Sequence, residues 1–348
     1  MIPLYEIYLS YKDGVIMIHT LLDTFVSLSS YQQDVIVKHI RDFLALNTKL
    51  ETIFPTTCPI CGHQHSCFIK KGFAHGKQRF LCKICMTKFV YTRGTIMFGS
   101  HQSSSKWTTV ILDTLSFVPI LHTAASINVH PDTVFFMRHK ILMAIEKLVV
   151  SSSITLSGLI ELDETYINDA YKKSTIPYDR KPRKHGESAT KRGISKEKVC
   201  ICAGADRNAN VILCSANRAK PSKENIRSIY EEVIQKQSII INDGVSSYLE
   251  LMEEKNCREE IVPDHTYYNE VFHLNTVNNL HSQIKKAIKQ YRGVSTKYLN
   301  RYLSMLTFIQ PCLGMDGQEK VHYFLDKFKG FVTHFNNTDV KTYNLLHI

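Results

Sequence analysis

Three observations predict an α+β chain of several domains. Two Cys-x-x-Cys pairs, Cys58–Cys61 and Cys82–Cys85, stand twenty residues apart. Residues 103–150 read as short amphipathic helices broken by a tight turn. From Leu159 onward, apolar β-rich runs alternate with helical periodicity in the order strand, hairpin, helix, strand, helix, strand, which predicts a mixed sheet with helices packed on it.

The 348 residues suffice for two or three domains. The net charge of +11 and isoelectric point of about 9.0 reflect 43 Lys and Arg against 32 Asp and Glu. Such an excess points to a polyanionic partner, most simply nucleic acid. Glu6, Asp13 and Asp23 interrupt the apolar N-terminus, and no run of 18 apolar residues occurs, so the expectation is a soluble, intracellular protein without a membrane span. Ten cysteines in that setting argue for metal ligands and buried thiols over disulfides.

In chain order, residues 1–54 form a helical region, with Ser29-Ser30 capping a segment from Tyr31 to Leu46. Residues 55–95 form a zinc ribbon. Cys58, Cys61, Cys82 and Cys85 are the simplest ligand set, with His63, His65 and Cys67 as substitutes close by. Four thiolates close a tetrahedral site, so the Zn²⁺ is structural. Between the knuckles, Lys70, Lys71, Lys77 and Arg79 mingle with Phe68, Phe73 and Phe80, a mix that suits a hairpin on a DNA backbone.

Helices are expected from Trp107 to Phe117, from Leu121 to Ile127, and after His130, where Pro131 suits the first helical position. The arrangement resembles a helix-turn-helix over residues 103–150, with Thr133, Phe136, His139 and Lys140 as outward candidates for DNA. Residues 169–198 read as a basic loop. Arg183, Lys184, Lys191 and Arg192 are its candidates for lying along phosphates.

Within residues 157–310, Leu159 to Ile167 is a strand carrying Glu161, Asp163 and Glu164. Val199–Ala205 and Val211–Ala216 form a hairpin, and Ser222–Gln237 a helix. Ser238-Ile239-Ile240-Ile241-Asn242-Asp243-Gly244 is a strand buried on both faces, with Asp243 where it runs out. Ser246–Lys255 is a helix and Ile261-Val262-Pro263 a short strand. Two carboxylates at one sheet edge can hold Mg²⁺ or Mn²⁺ through oxygen, although taken alone Asp163 and Asp243 need have no connection. A helix from Asn275 to Lys289 carries the polar stripe Asn275, Asn278, Ser282, Lys285 and Lys289. Lys297 and Arg301, on the next helix, join the DNA-facing candidates. Residues 311–348 form a helical extension.

Taken together, the cysteine pairs, the helical unit, Asp163-Glu164-Thr165-Tyr166, Asn242-Asp243-Gly244, the segment from His273 to Lys285 and the segment from Tyr291 to Leu303 resemble bacterial insertion-sequence transposases of the zinc-ribbon type. The resemblance spans residues 30–310. It implies a ribonuclease H-like catalytic domain whose set of two Asp, a Glu or Asn, and a basic residue seven positions later falls on Asp163, Asp243, Asn278 and Lys285. Asn278 stands where many members have Glu, supplying a neutral carbonyl oxygen in place of a charged ligand. Glu161 shares a strand face with Asp163 and is an alternative third ligand, whereas Glu164 points to the opposite face.

The resemblance further implies a metal-dependent enzyme that cuts and joins double-stranded DNA at element ends by two-metal phosphoryl transfer. Its partners would be the terminal repeats, target DNA and further copies of the same chain. Its place would be the cytoplasm of a bacterium, at the nucleoid when bound to DNA. The competing readings are a DNA-binding regulator without catalysis and a nuclease that cuts without joining.

Overall fold

The computed structural model describes residues 21–37, 40, 57–64, 67–74, 76–170, 189, 193–263, 270–328 and 333–342. Arg183, Lys184, Lys191, Arg192 and His65 lie outside them, as does most of the expected helix beyond Ile40.

The ribbon is a three-stranded antiparallel sheet of β1 (Phe68–Ala74), β2 (Lys77–Cys82) and β3 (Lys88–Val90). Three helices follow: α1 (Ser104–Leu115), α2 (Ile120–Ser126) and α3 (Pro131–Ser151). Pro131 opens α3 as expected, and the His130 side chain caps it by accepting from Asp132 N.

The second sheet holds β4 (Leu159–Asn168), β5 (Lys198–Asp206), β6 (Val211–Arg218), β7 (Ile239–Asn242) and β8 (Arg258–Ile261), in the order β6-β5-β4-β7-β8. The β4–β5 and β5–β6 pairs are antiparallel, and the β4–β7 and β7–β8 pairs parallel. Helices α4 (Lys223–Tyr230) and α5 (Leu249–Glu254) cover one face of the sheet. The other is covered by α6 (Asn275–Gln290) and α7 (Leu299–Ile309), and α8 (Gly317–Lys327) and α9 (Asn337–Thr342) complete the chain. Period-two alternation sorts the strands between the layers: Ile160, Leu162, Cys200 and Cys202 join the α4–α5 side, whereas Val199, Ile201, Ala203 and Ala205 join the α6–α7 side.

Several expectations are corrected. The helix foreseen for Ser222–Gln237 ends at Tyr230, because Ile234 instead bridges Leu156 in parallel and Gln235 N donates to Leu156 O. The last strand is Arg258–Ile261, set by the ladder that β7 offers, and Pro263 has no N–H with which to extend it. In the ribbon, Phe80 and Phe89 are buried and stack with Phe68, so these rings are core, while Lys70, Lys71 and Phe73 on β1 face solvent.

The third helix of residues 103–150 is not free along its length. Its stretch Met137–Glu146 is buried, and one continuous core joins α1, α3, α7, the ribbon and the sheet. His139 and Arg301, expected to face DNA, are buried against each other, with Arg301 Nη1 3.2 Å from His139 Nδ1 and donating to Val340 O at 3.1 Å. Burial, then the Arg301 charge, hold the His139 imidazole well below its usual range. Lys140 is likewise largely covered. The cause is shared: α3 packs lengthwise on α7, which turns these positions inward.

Candidate active site

The parallel ladder pairs Leu159 with Ile239, Ile160 with Ile240 and Glu161 with Ile241, and continuing it by two residues sets Asp163 beside Asp243. Strand β7 ends there because Asn242 turns the chain. Its buried side chain donates to Glu259 Oε1 at 2.9 Å and accepts from Gly244 N at 2.5 Å. Gly244 has φ +88°, and a Cβ there would meet Ile261 Cγ2 at 3.3 Å, so conformation and space both call for glycine. Asp243 is thereby left exposed at the strand mouth, while Asp163 is partly covered.

Asp163 faces α6, as its parity requires. Residues Asn278, His281 and Lys285 of that helix fall three and four residues apart, so one side of α6 carries all three. His281 is buried and reaches β4. Its Nδ1 lies 3.7 Å from Asp163 Oδ2, and its Nε2 is buried without a hydrogen-bond partner. Burial, with the Lys285 charge adding to it, pushes the imidazole down to about 4, opposed by a hydrogen bond to the Asp163 backbone. Asn278 and Lys285 are exposed on either side of it. His281 was not foreseen as a site residue, although its spacing from Asn278 and Lys285 was a usable signal.

Glu161 has its own employment. It is 0 % exposed, and its carboxylate accepts from Thr276 N at 2.8 Å, Val277 N at 3.0 Å and Thr276 Oγ1 at 2.8 Å. Arg207, at the tip of the β5–β6 hairpin, pairs with it, and His273 Nδ1 lies 3.2 Å away. Helix α6 begins after Leu274, which offers no side-chain cap, so the carboxylate from the neighbouring strand satisfies its first-turn amides. These bonds engage both oxygens of Glu161 with the start of α6 and the hairpin tip. Glu164 lies on the other face, as parity requires, and accepts from the Tyr248 hydroxyl in the turn that follows Asp243. Burial pushes its carboxyl up, opposed by that bond.

Asp163, Asp243 and Asn278 offer two carboxylates and one amide oxygen. Such hard oxygen ligands suit Mg²⁺ or Mn²⁺, and the exposed Asp243 and Asn278 leave the mouth open to a substrate.

The ribbon cysteines form a separate cluster. Cys58 and Cys85 Sγ lie 3.7 Å apart, as do Cys61 and Cys82 Sγ, and all four sulfurs fall within 4.8 Å of one another. Tetrahedral Zn–S bonds require sulfurs about 3.8 Å apart, so the cluster fits Zn²⁺. Among the described residues it is the one group of three or more His, Cys, Asp or Glu ligand atoms gathered this closely.

Of the remaining DNA-facing candidates, Lys70 and Lys71 are exposed, Lys297 is exposed while donating to Lys341 O at 2.6 Å, and Thr133 is half-buried. Lys77 donates to Ser100 O at 3.3 Å, and Arg79 has a buried Nε without a partner, so both lean on the protein. No helix among the described residues is long and apolar enough to cross a membrane.

An uncharacterised protein in the transposable element ISH50 of Halobacterium salinarum is 26% identical over 276 residues, covering 77% of this chain and 90% of that protein. Among solved structures, a pre-cleavage Mos1 transpososome aligns over 66% of this chain and 79% of its own at 10% identity with a TM-score of 0.23. The Mos1 strand transfer complex aligns over 66% and 78% at 12% identity with a TM-score of 0.25. Residues 155–309, which carry Asp163, Asp243, Asn278, His281 and Lys285, match the ISXO2-like transposase domain.

Proposed function

We propose that the protein cuts and joins DNA strands at the ends of an insertion sequence. The observation that carries this reading is the register that sets Asp163, midway along β4, beside Asp243 just past the end of the parallel β7, with α6 bearing Asn278 and Lys285 packed on β4, inside a stretch that matches a transposase domain. Asp163, Asp243 and the Asn278 carbonyl oxygen would hold divalent cations. Bound there, Mg²⁺ or Mn²⁺ supplies Lewis-acid activation of a water or a DNA 3′-hydroxyl and offsets charge on the leaving oxygen.

The chain's own residues do the rest. Lys285 holds a phosphate near the scissile bond through its ammonium, and its place two helical turns beyond Asn278 puts both at the same mouth. Asp243, exposed after the Asn242 turn, meets the incoming strand first. His281 anchors α6 to the strand that carries Asp163. The exposed Lys70, Lys71 and Lys297 contact backbone phosphates, which positions DNA without reading its sequence. The ribbon, folded around Zn²⁺, presents the first two of these. Joining two element ends at one target calls for at least two copies of the chain on DNA.

The test is incubation of the purified protein with DNA carrying its element ends and Mg²⁺ or Mn²⁺. Cleavage followed by strand transfer, both abolished in Asp163→Asn, is expected. Cleavage without joining would make the protein a nuclease, and binding without cleavage in the wild type would make it a regulator.

A further inference from the structure

We infer that Glu161 is a positioning residue that aims α6, and with it Asn278 and Lys285, at Asp163 within β4 and Asp243 just past the end of β7. The inference rests on the reading of those residues as the reacting site and adds to it a residue that touches neither metal nor DNA.

The argument begins with what α6 lacks. A helix N-terminus leaves four amides without intrahelical partners. Here Leu274 stands at the cap position with no side-chain bond. The missing acceptor arrives from β4: both oxygens of Glu161 are engaged by Thr276 N, Val277 N and Thr276 Oγ1, a residue pair more than one hundred positions distant in sequence. A carboxylate at this end of the helix also meets the positive pole of its dipole.

The second half concerns cost. A fully buried carboxylate is tolerated only when its charge is compensated. Arg207 supplies the compensation, and it donates as well to Val271 O at 3.1 Å in the segment leading into α6. The hairpin tip, the strand and the helix entrance are thereby tied at one point. Glu161 lies two residues before Asp163 on the same strand face, and Val277, one of its donors, directly precedes Asn278. A displacement of the helix start is therefore passed directly to Asn278. Glu164 makes a comparable tie to Tyr248 on the other face, so of the two strand glutamates it is Glu161 that holds the start of α6.

The test is a double-mutant cycle on the full-length protein with Glu161→Gln, Asn278→Ala and both together. Single-turnover cleavage of element-end DNA is one readout, and Mn²⁺ affinity by calorimetry is the other. Glu161→Gln is expected to lower cleavage about 10–100-fold with unchanged DNA affinity, in the range typical of groups that orient ligands. In Mn²⁺ affinity, which both single variants leave measurable, the double variant should be no worse than the poorer single variant, because residue 161 acts through residue 278. Amide exchange at Thr276 and Val277 should accelerate in Glu161→Gln while the melting transition stays cooperative. Thr276→Val, which removes one donor from the helix side, should show a smaller effect of the same kind, and it serves if Glu161→Gln fails to fold.

Multiplicative losses in the cycle would overturn the inference, as would unchanged exchange at Thr276 and Val277. Loss of Mn²⁺ binding as complete as in Asp163→Asn would make Glu161 a ligand instead. If the wild type cleaves no DNA, the proposed function falls, and the cycle in Mn²⁺ affinity with the exchange data still decides whether Glu161 places Asn278.

Discussion

His281 Nδ1 lies 3.7 Å from Asp163 Oδ2, and the imidazole hydrogen-bonds the Asp163 backbone, which ties the inward face of α6 to β4. His281→Phe keeps a ring of similar bulk and removes the bond to the Asp163 backbone. Single-turnover cleavage should fall roughly tenfold, as for groups that orient ligands. DNA affinity, measured by anisotropy, should not change.

Asp163→Asn and Asp243→Asn should reduce cleavage to the detection limit and leave DNA binding within about twofold, since affinity comes from Lys and Arg bound to phosphate. Removing Lys70, Lys71 and Lys297 together should flatten the plot of log affinity against log salt by about 0.9 for each phosphate that is no longer neutralised. An unchanged slope would exclude these three exposed side chains from the interface.

Asn278 separates ligand chemistry from packing. Asn278→Ala removes an exposed oxygen donor and leaves the core intact, so cleavage in Mg²⁺ should disappear while melting temperature and DNA affinity persist. Asn278→Glu supplies a charged oxygen at the same place and should retain activity with a lower metal requirement. Asn278→Leu, close to Asn in volume, should behave like Ala. Normal cleavage by Asn278→Ala would remove it from the site.

The ribbon should hold one tightly bound Zn²⁺. Cys82→Ser removes one of four clustered sulfurs and should release the metal, with local unfolding of residues 57–90 and weaker DNA binding. Metal analysis of the purified variant checks this. Retention of zinc in a variant lacking all four cysteines would move the site elsewhere.

Glu146 gives a pH signature of the core. Burial pushes its carboxyl up to about 7, with Arg301 opposing, and its Oε2 is buried without a hydrogen-bond partner. Because the folded value lies above the unfolded one, the folded state holds the extra proton. Its contribution to stability is complete below the unfolded value near 4.5 and is lost as pH rises through about 7. Glu146→Gln cannot ionise, so its stability relative to wild type should rise between pH 5 and pH 8 by up to roughly 3 kcal/mol. Parallel denaturation curves at both pH values would refute this.

Much of the site was legible in the sequence because its signals are short-range. Two cysteine pairs specify a metal knuckle by spacing alone, and Pro131 marks a helix start through its fixed φ. Asn242-Asp243-Gly244 marks a strand exit because an Asn side chain and a Gly with φ +88° make that turn together. Spacings of three, four and seven place Asn278, His281 and Lys285 on one helical face wherever the helix lies.

Tertiary structure alone decided what each face meets. Parity put Glu161 beside Asp163, yet whether that carboxylate binds a metal or caps a helix depends on Thr276 and Val277, which reach it only when α6 lies on β4. His139 and Arg301 read as exposed basic residues until α3 and α7 pack lengthwise and bury them together. The sequence by itself determined most of the elements and the helical face shared by Asn278, His281 and Lys285, because those follow from backbone geometry a few residues long. The fold decided which of those side chains reach solvent and which are consumed in holding the others, because burial and long-range hydrogen bonds form only between elements already brought together.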